Sequence, residues 1–300
     1  METCGQEMFK FVRYDGMTCA DMACTGGHLE VAKYISETFG NNQFTVGRYD
    51  GTPCTYPAAV GGHLELLKFI SETCGKPFLL RCNFDGVSCA HGAAQQGHIE
   101  IMRFLLDNNG KELLEKCDSE NTSCALCAAE NEHIEVLKFL YETCGKELLM
   151  QVRSDGTSCA HVAAQEGFKG IAWYLHETCG HEIFELPMNN GTSTACLAAM
   201  HGHLELLKFL YDVCGKRLLM ERMKNGVTCA YMAANRGHTE VFKWLYAVCG
   251  EELISIGFKG RSCAQAAELG GHSEIVEFLA EVSSMRAPIA CIGRCFDCDT

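Results

Sequence analysis

The chain has 300 residues, 47% of them hydrophobic and 21% charged, and carries a formal net charge of −13. That composition supports a sizeable core, while the negative balance disfavours a nucleic-acid backbone or an anionic membrane surface as partner. There is no apolar run of about 18 residues to suggest a transmembrane helix, and the opening METCGQEMFKFV lacks the apolar stretch of a secretory signal. With no signal, the 21 cysteines read as reduced thiols of a cytoplasmic or nuclear protein and not as a disulfide framework.

In chain order, residues 1–14 match only the end of a helix and the linker after it, a partial N-terminal repeat or cap. At Asp15-Gly16 a dipeptide begins that returns at Asp50-Gly51, Asp85-Gly86 and Asp155-Gly156. It returns in altered form at Glu120-Asn121, Asn190-Gly191, Asn225-Gly226 and Lys259-Gly260. The step is 35 residues each time except the last, which is 34. A second marker keeps the register: His28, His63, His98, His133, His203, His238 and His272, with Phe168 alone breaking the row. Eight copies starting near 15, 50, 85, 120, 155, 190, 225 and 259 therefore fill residues 15–283, and residues 284–300 form a tail.

Each copy reads as two helices. In the fourth, Ser123 stands where an N-cap belongs, and Ala125, Ala128 and Ala129 make the first helix small enough for close approach. Glycine, such as Gly97 or Gly237, precedes the histidine in most copies and permits a tight turn. The second helix is predicted over about 133–144, with Gly145 beyond its end. Glu135, Lys138 and Glu142 line one solvated stripe, and Ile134, Val136, Leu137, Phe139 and Leu140 cover most of the remaining girth. Such a helix needs cover on more than one side, which neighbouring copies in a linear array provide.

Ser158-Cys159-Ala160-His161-Val162-Ala163-Ala164 and Gly62-His63-Leu64-Glu65-Leu66-Leu67 resemble the ankyrin repeat pattern T-P-L-H-x-A-A followed by G-H-L-E-V-V. The resemblance covers about residues 1–283 and implies an all-α solenoid of about eight helix-turn-helix repeats. Two departures stand out: cysteine replaces the usual proline, and copies are longer than the 33 residues typical of that family. The surplus lies in the linker, as in GKELLMQVRSDG (145–156), where Leu148, Leu149 and Met150 predict an extra apolar turn.

Cys159 and His161 could be taken for a nucleophile and base. The register argues otherwise, because cysteine recurs at Cys19, Cys54, Cys89, Cys124, Cys229 and Cys263, with Thr194 in the sixth copy, whether or not histidine follows. This row reads as small buried residues in a first helical turn, in preference to a ladder of reactive thiols. A second row, Cys74, Cys144, Cys179, Cys214 and Cys249, precedes the glycine that ends the second helix. The resemblance gives His161 a structural hydrogen-bonding role, and no catalytic motif is present, so an enzyme is not predicted. In the tail, Cys291, Cys295 and Cys298 are spaced C-x3-C-x2-C. That spacing resembles the cluster motif of radical S-adenosylmethionine enzymes, but the chain offers no strands for their barrel. A cysteine-bearing tail without cofactor is the leading reading there, and a zinc site the second.

The resemblance implies partner binding along the loops ahead of each first helix and along the first helices themselves. Tyr14, Tyr49 and Phe84 stand just before the dipeptide, with Arg13 and Arg48 beside them, a stripe suited to hot-spot contacts. The same row continues as Ser119, Ser154, Asn189, Lys224 and Phe258. Further candidates that vary between copies are Tyr56, His91, His161, Tyr231 and Arg236. The expected function is a non-catalytic, monomeric scaffold for a protein partner. The alternatives are a thiol- or zinc-responsive protein using the tail, or the targeting module of a longer enzyme. The fifth copy, with Gly167-Phe168-Lys169-Gly170, departs most and reads as tolerated drift in preference to a hinge.

Overall fold

A computed structural model describes residues 12–286. Among them the regular elements are helical, and β pairing is confined to isolated bridges of Cys82 with Ser88, Arg222 with Thr228 and Phe258 with Arg261. The first helices span Cys19–Thr25, Thr55–Val60, Cys89–Gln95, Cys124–Glu130, Cys159–Glu166, Thr194–His201, Cys229–Arg236 and Cys263–Gly270. They are short because both ends are fixed by sequence. Ser123 and Ser193 cap two of them, their hydroxyls accepting from Leu126 N at 3.2 Å and Cys196 N at 3.3 Å. The far end turns through a residue of positive φ such as Gly202, at φ 81 and ψ 17, which glycine adopts without strain.

The second helices run Leu29–Phe39, Leu64–Cys74, Ile99–Asn109, Ile134–Cys144, Lys169–Cys179, Leu204–Cys214, Thr239–Cys249 and Ser273–Arg286. Their solvated stripe is as expected, with Lys138 Nζ 2.7 Å from Glu135 and Lys208 Nζ 2.7 Å from Glu205. The apolar turn predicted in the linker is a short third helix, for example Glu112–Glu115, Lys146–Leu149 and Lys216–Met220. It buries Leu113 and Leu114, Leu148 and Leu149, and Leu218 and Leu219. Each such leucine contributes about 1.5–3 kcal/mol by leaving water.

Two compact units divide the chain: residues up to Val162 with Glu177–Cys179, and Ala163–His176 with residues from Gly180 onward. In the first, the helices Cys19–Thr25, Thr55–Val60, Cys89–Gln95 and Cys124–Glu130 pack in succession. Buried alanines such as Ala58, Ala59, Ala93 and Ala94 permit that approach. In the second, Thr194–His201, Cys229–Arg236 and Cys263–Gly270 do the same. The division falls in the fifth copy, yet Phe168 keeps the local backbone of the histidine row, with φ −73 and ψ 80 beside −83 and 72 at His133.

The histidine row is a chain of bonds between copies. His98 Nε2 lies 3.0 Å from Val60 O, His133 Nε2 3.0 Å from Gln95 O, and His238 Nε2 2.9 Å from Met200 O. Each ring donates to a carbonyl that the preceding first helix leaves unpaired at its end. The rings also lie over the turn glycines: a Cβ on Gly97 would stand 2.6 Å from His133 Nδ1, and one on Gly202 2.6 Å from His238 Nδ1. Glycine and histidine are therefore required together, one in each of two successive copies.

Candidate partner-binding surface

Ahead of each first helix the chain makes a projecting turn, or finger. In the first, Arg13 N–H donates to Met17 O and Gly16 N–H to Arg13 O, both at 2.9 Å. The Asp15 carboxylate accepts from Met17 N at 3.1 Å, and Gly16 takes φ 84 to close the loop. Asp50, Asp155 and Asn190 repeat that side-chain bond at 2.9, 2.8 and 2.9 Å, so the recurrent dipeptide is a turn signature.

Successive fingers are tied by backbone. Tyr49 N–H donates to Asp15 O at 3.2 Å, Phe84 N–H to Asp50 O at 3.0 Å, and Ser154 N–H to Glu120 O at 2.7 Å. Each aromatic ring also rests on the preceding glycine: a Cβ on Gly16 would stand 2.8 Å from the Tyr49 ring, and one on Gly51 2.7 Å from that of Phe84. One face of the Tyr49 and Phe84 rings is thus seated while the rest stays in water. Tyr14 is 89% exposed, Tyr49 68% and Phe84 81%. The structure brings these three together on adjacent fingers, as the sequence reading placed them. The arginines beside them behave differently. Arg13 is ion-paired to Asp15, with its guanidinium 5.4 Å from the Tyr14 ring centroid. This pairing holds the Asp15 carboxyl below its usual range. Arg48 is half-buried, and its charge partly offsets the burial that raises the pKa of Asp21.

In four copies the third residue of the first helix, Asp21, His91, His161 or Gln265, returns a bond to the residue that caps it. His91 Nδ1 accepts from Ser88 N at 3.2 Å, leaving Nε2–H to donate to Thr122 O at 3.1 Å in the next copy. Burial holds its pKa below the usual histidine value, so the ring is neutral and its tautomer is set by the backbone. His161 Nδ1 likewise meets Ser158 N at 3.2 Å and Ser158 Oγ at 2.8 Å. Asp21 makes the same reciprocal box with Thr18, its Oδ2 accepting from N at 2.9 Å and from Oγ1 at 2.8 Å.

A family model described as ankyrin repeats in three copies matches residues 55–150, 90–186, 128–219 and 195–287. The chain belongs to the ankyrin repeat family. No curated protein matches it. As an ankyrin repeat chain it is of a kind that generally serves as a non-catalytic protein-interaction module. Among the described residues, no helix is long and apolar enough to cross a membrane.

Three of the candidate residues lie inside the fold and not on its surface. His91 is 2% exposed, His161 0% and Tyr231 7%. These three were expected on the partner-facing surface, and the structure buries them as part of helix capping and packing. Tyr56 is half-buried, and Arg236 is exposed at the end of its helix. Phe258 was aligned with Tyr14, but its N–H and C=O both pair with Arg261, at 2.8 and 3.0 Å. It therefore occupies the position of Arg13 and Met223, and the final 34-residue step comes from a finger tip one residue shorter.

The cysteine row is buried at Cys54, Cys89, Cys124, Cys159, Cys229 and Cys263, and the described cysteines are free thiols. The sequence did not show what these thiols touch. Cys54 Sγ donates to Phe44 O at 3.4 Å, Cys89 Sγ to Leu79 O at 3.3 Å, and Cys229 Sγ to Leu219 O at 3.1 Å. Thr194 Oγ1, standing in the same row, donates to Phe184 O at 2.9 Å. Burial pushes the Cys89, Cys159 and Cys263 thiols up to about 12, so they remain protonated and poor as nucleophiles or metal ligands. Among the described residues no group of three His, Cys, Asp or Glu side chains is placed to hold a metal ion. The zinc reading of Cys291, Cys295 and Cys298 falls outside the described residues.

Proposed function

We propose that this chain is a non-catalytic adaptor that holds a partner protein on the fingers of its first three copies. The observation that carries the reading is the row Tyr14, Tyr49 and Phe84, exposed on fingers whose backbones are hydrogen-bonded to one another. Large aromatics in water on a fixed frame lose little conformational freedom when a partner covers them, the condition under which a few residues dominate an interface. Arg13, Arg48 and Tyr56 border this row, and Arg236 belongs to a later copy.

The test is affinity capture followed by mass spectrometry, comparing wild type with a Tyr14→Ala, Tyr49→Ala, Phe84→Ala variant. A partner retained by wild type and lost by the variant, with melting temperatures nearly equal, is the expected result. A variant that fails to fold would instead make the stripe structural, and equal capture by both proteins would remove it from the interface.

A further inference from the structure

The seventh and eighth copies carry a different surface. An open cavity of about 520 Å³ lies between two fingers and a first helix, with walls that include Met223, Tyr231, Met232, Phe258, Lys259 and Arg261. The Phe258 ring meets Tyr231 edge-on with centroids 5.8 Å apart, and Lys259 Nζ stands 5.1 Å from the Phe258 centroid. The walls thus mix the apolar surface of Met223, Met232 and Phe258 with the amides of Asn225 and Asn235, and methionine adapts to varied shapes. One rim is cationic.

The two stretches that supply this cavity's walls carry cations with no acid between them. Residues 222–239 contain Arg222, Lys224 and Arg236 and no Asp or Glu, and residues 253–267 contain Lys259 and Arg261 and again no Asp or Glu. All five cations are exposed, and no ion pair joins any of them to another described residue. The finger tips show how this arose. Asp15, Asp50, Asp85, Glu120 and Asp155 give way to Asn190 and Asn225, and then to Lys259. Asn225 keeps the structural bond of the aspartate, accepting from Val227 N at 3.0 Å, without its charge. Lys259 sits at φ 49, a left-handed backbone that favours glycine, in the shortened tip. Among the described residues no carboxylate pairs with this lysine.

We propose that this cavity binds an acidic segment of a partner protein, with one bulky apolar side chain against Met223, Met232 and Phe258 and flanking carboxylates on Lys259 and Arg261. Charge complementarity selects the ligand: Lys259 and Arg261 line the cavity and have no ion-pair partner among the described residues, so in a chain of net charge −13 they attract an anion locally. The Met223, Met232 and Phe258 side chains offer contact to an apolar side chain, which a phosphate backbone lacks, and the arginine fork suits a carboxylate. This site is separate from the Tyr14, Tyr49 and Phe84 row and does not depend on it.

The probe is a fluorescein-labelled synthetic peptide, Glu-Asp-Glu-Phe-Glu-Asp-Glu, titrated with the full chain and followed by fluorescence anisotropy. Saturable binding is expected, weakened roughly tenfold or more by Lys259→Glu with Arg261→Glu. Raising salt from about 50 mM to about 300 mM weakens it further, and so does alanine in place of the peptide's phenylalanine. Lys259→Gly relaxes the backbone at the tip, so weaker binding by that variant reports the lost charge and not misfolding. The Tyr49→Ala variant binds the probe as wild type does, which keeps the outcome distinct from that of the first-unit stripe. Absence of binding, indifference to the charge reversals, or tighter binding of a single-stranded oligonucleotide of equal charge would each overturn the proposal.

Discussion

Placing a methyl group on Gly202 tests the coupling between copies directly. Gly202 sits at φ 81 and ψ 17, where alanine costs about 1 kcal/mol more than glycine. The new Cβ would stand 2.6 Å from His238 Nδ1, so the ring must leave its seat. The bond from His238 Nε2 to Met200 O, at 2.9 Å, goes with it, for about 1 kcal/mol, and overpacking adds about 1 more. Gly202→Ala therefore costs about 3 kcal/mol, and His238→Ala alone about 2 from lost bond and packing. Made together they should cost about 3 and not 5, because the methyl then meets no ring, a coupling of about 2 kcal/mol. Gly271 supplies the control: it holds the same turn in the last copy at φ 75, with nothing within 4 Å of its would-be Cβ. Gly271→Ala should cost only the backbone strain of about 1 kcal/mol. Urea unfolding followed by circular dichroism reads all four variants. Amide exchange in the helices Leu204–Cys214 and Thr239–Cys249 guards against loss of two-state behaviour, to which repeat arrays are prone. Equal costs at Gly202 and Gly271, or an additive cycle, would refute the reasoning.

Two other expectations follow from titration and burial. The pKa of His91 is lowered by burial, so the unfolded chain binds its proton more readily than the native one. Stability from this group is complete above the ordinary histidine value of about 6.5 and declines as pH falls below it. Melting temperature should therefore drop between about pH 7 and 5.5, and drop less in His91→Gln, which can still accept from Ser88 N; identical profiles would sink the assignment. The buried thiols Cys54, Cys89, Cys124, Cys159, Cys229 and Cys263 should escape a thiol reagent in the native protein and react after denaturation without reductant. Rapid native labelling of any of the six, located by mass spectrometry, would contradict their burial.

The architecture was legible because one period runs through the whole chain, and period, helix length and turn glycine all point the same way. The leucine pairs in the linker, Leu148 with Leu149 for one, likewise announced the third helix. Side-chain direction was not legible. His91, His161 and Tyr231 differ between copies, and variability was read as exposure. Yet the His91 and His161 side chains turn back to the residues that cap their helices, and the Tyr231 ring packs against Phe258. Phe258 was displaced by one register because the 34-residue step shows that a residue is missing but not where in the turn; the pairing with Arg261 locates it. The cationic cavity had a visible trace in the loss of acid from Asn190 onward, but its walls depend on Met223 and Met232, which a fold brings together and spacing alone does not.

The two departures from the ankyrin pattern, cysteine for proline and copies of 35 residues, are one structural device. The extra residues form the short third helix, whose last carbonyls have no partner within it. In four copies the penultimate carbonyl, that of Phe44, Leu79, Phe184 or Leu219, is met by Cys54, Cys89, Thr194 or Cys229 of the copy that follows. Thr194 shows that the required property is a donor and not a thiol. Proline, by contrast, suits the first helical position through its fixed φ but donates nothing. Cys229→Pro therefore sets a gain of about 0.4–1 kcal/mol from a stiffer unfolded chain against about 1–3 kcal/mol for a buried carbonyl left unpaired. Leu219 is fully buried, so the second effect wins, and the variant should lose about 1 kcal/mol or more although it restores the family residue. Cys229→Thr should stay within about 0.5 kcal/mol of wild type. If proline matched threonine in urea unfolding, the thiol bond would be incidental, and the cysteine row and the longer repeat would be unrelated features.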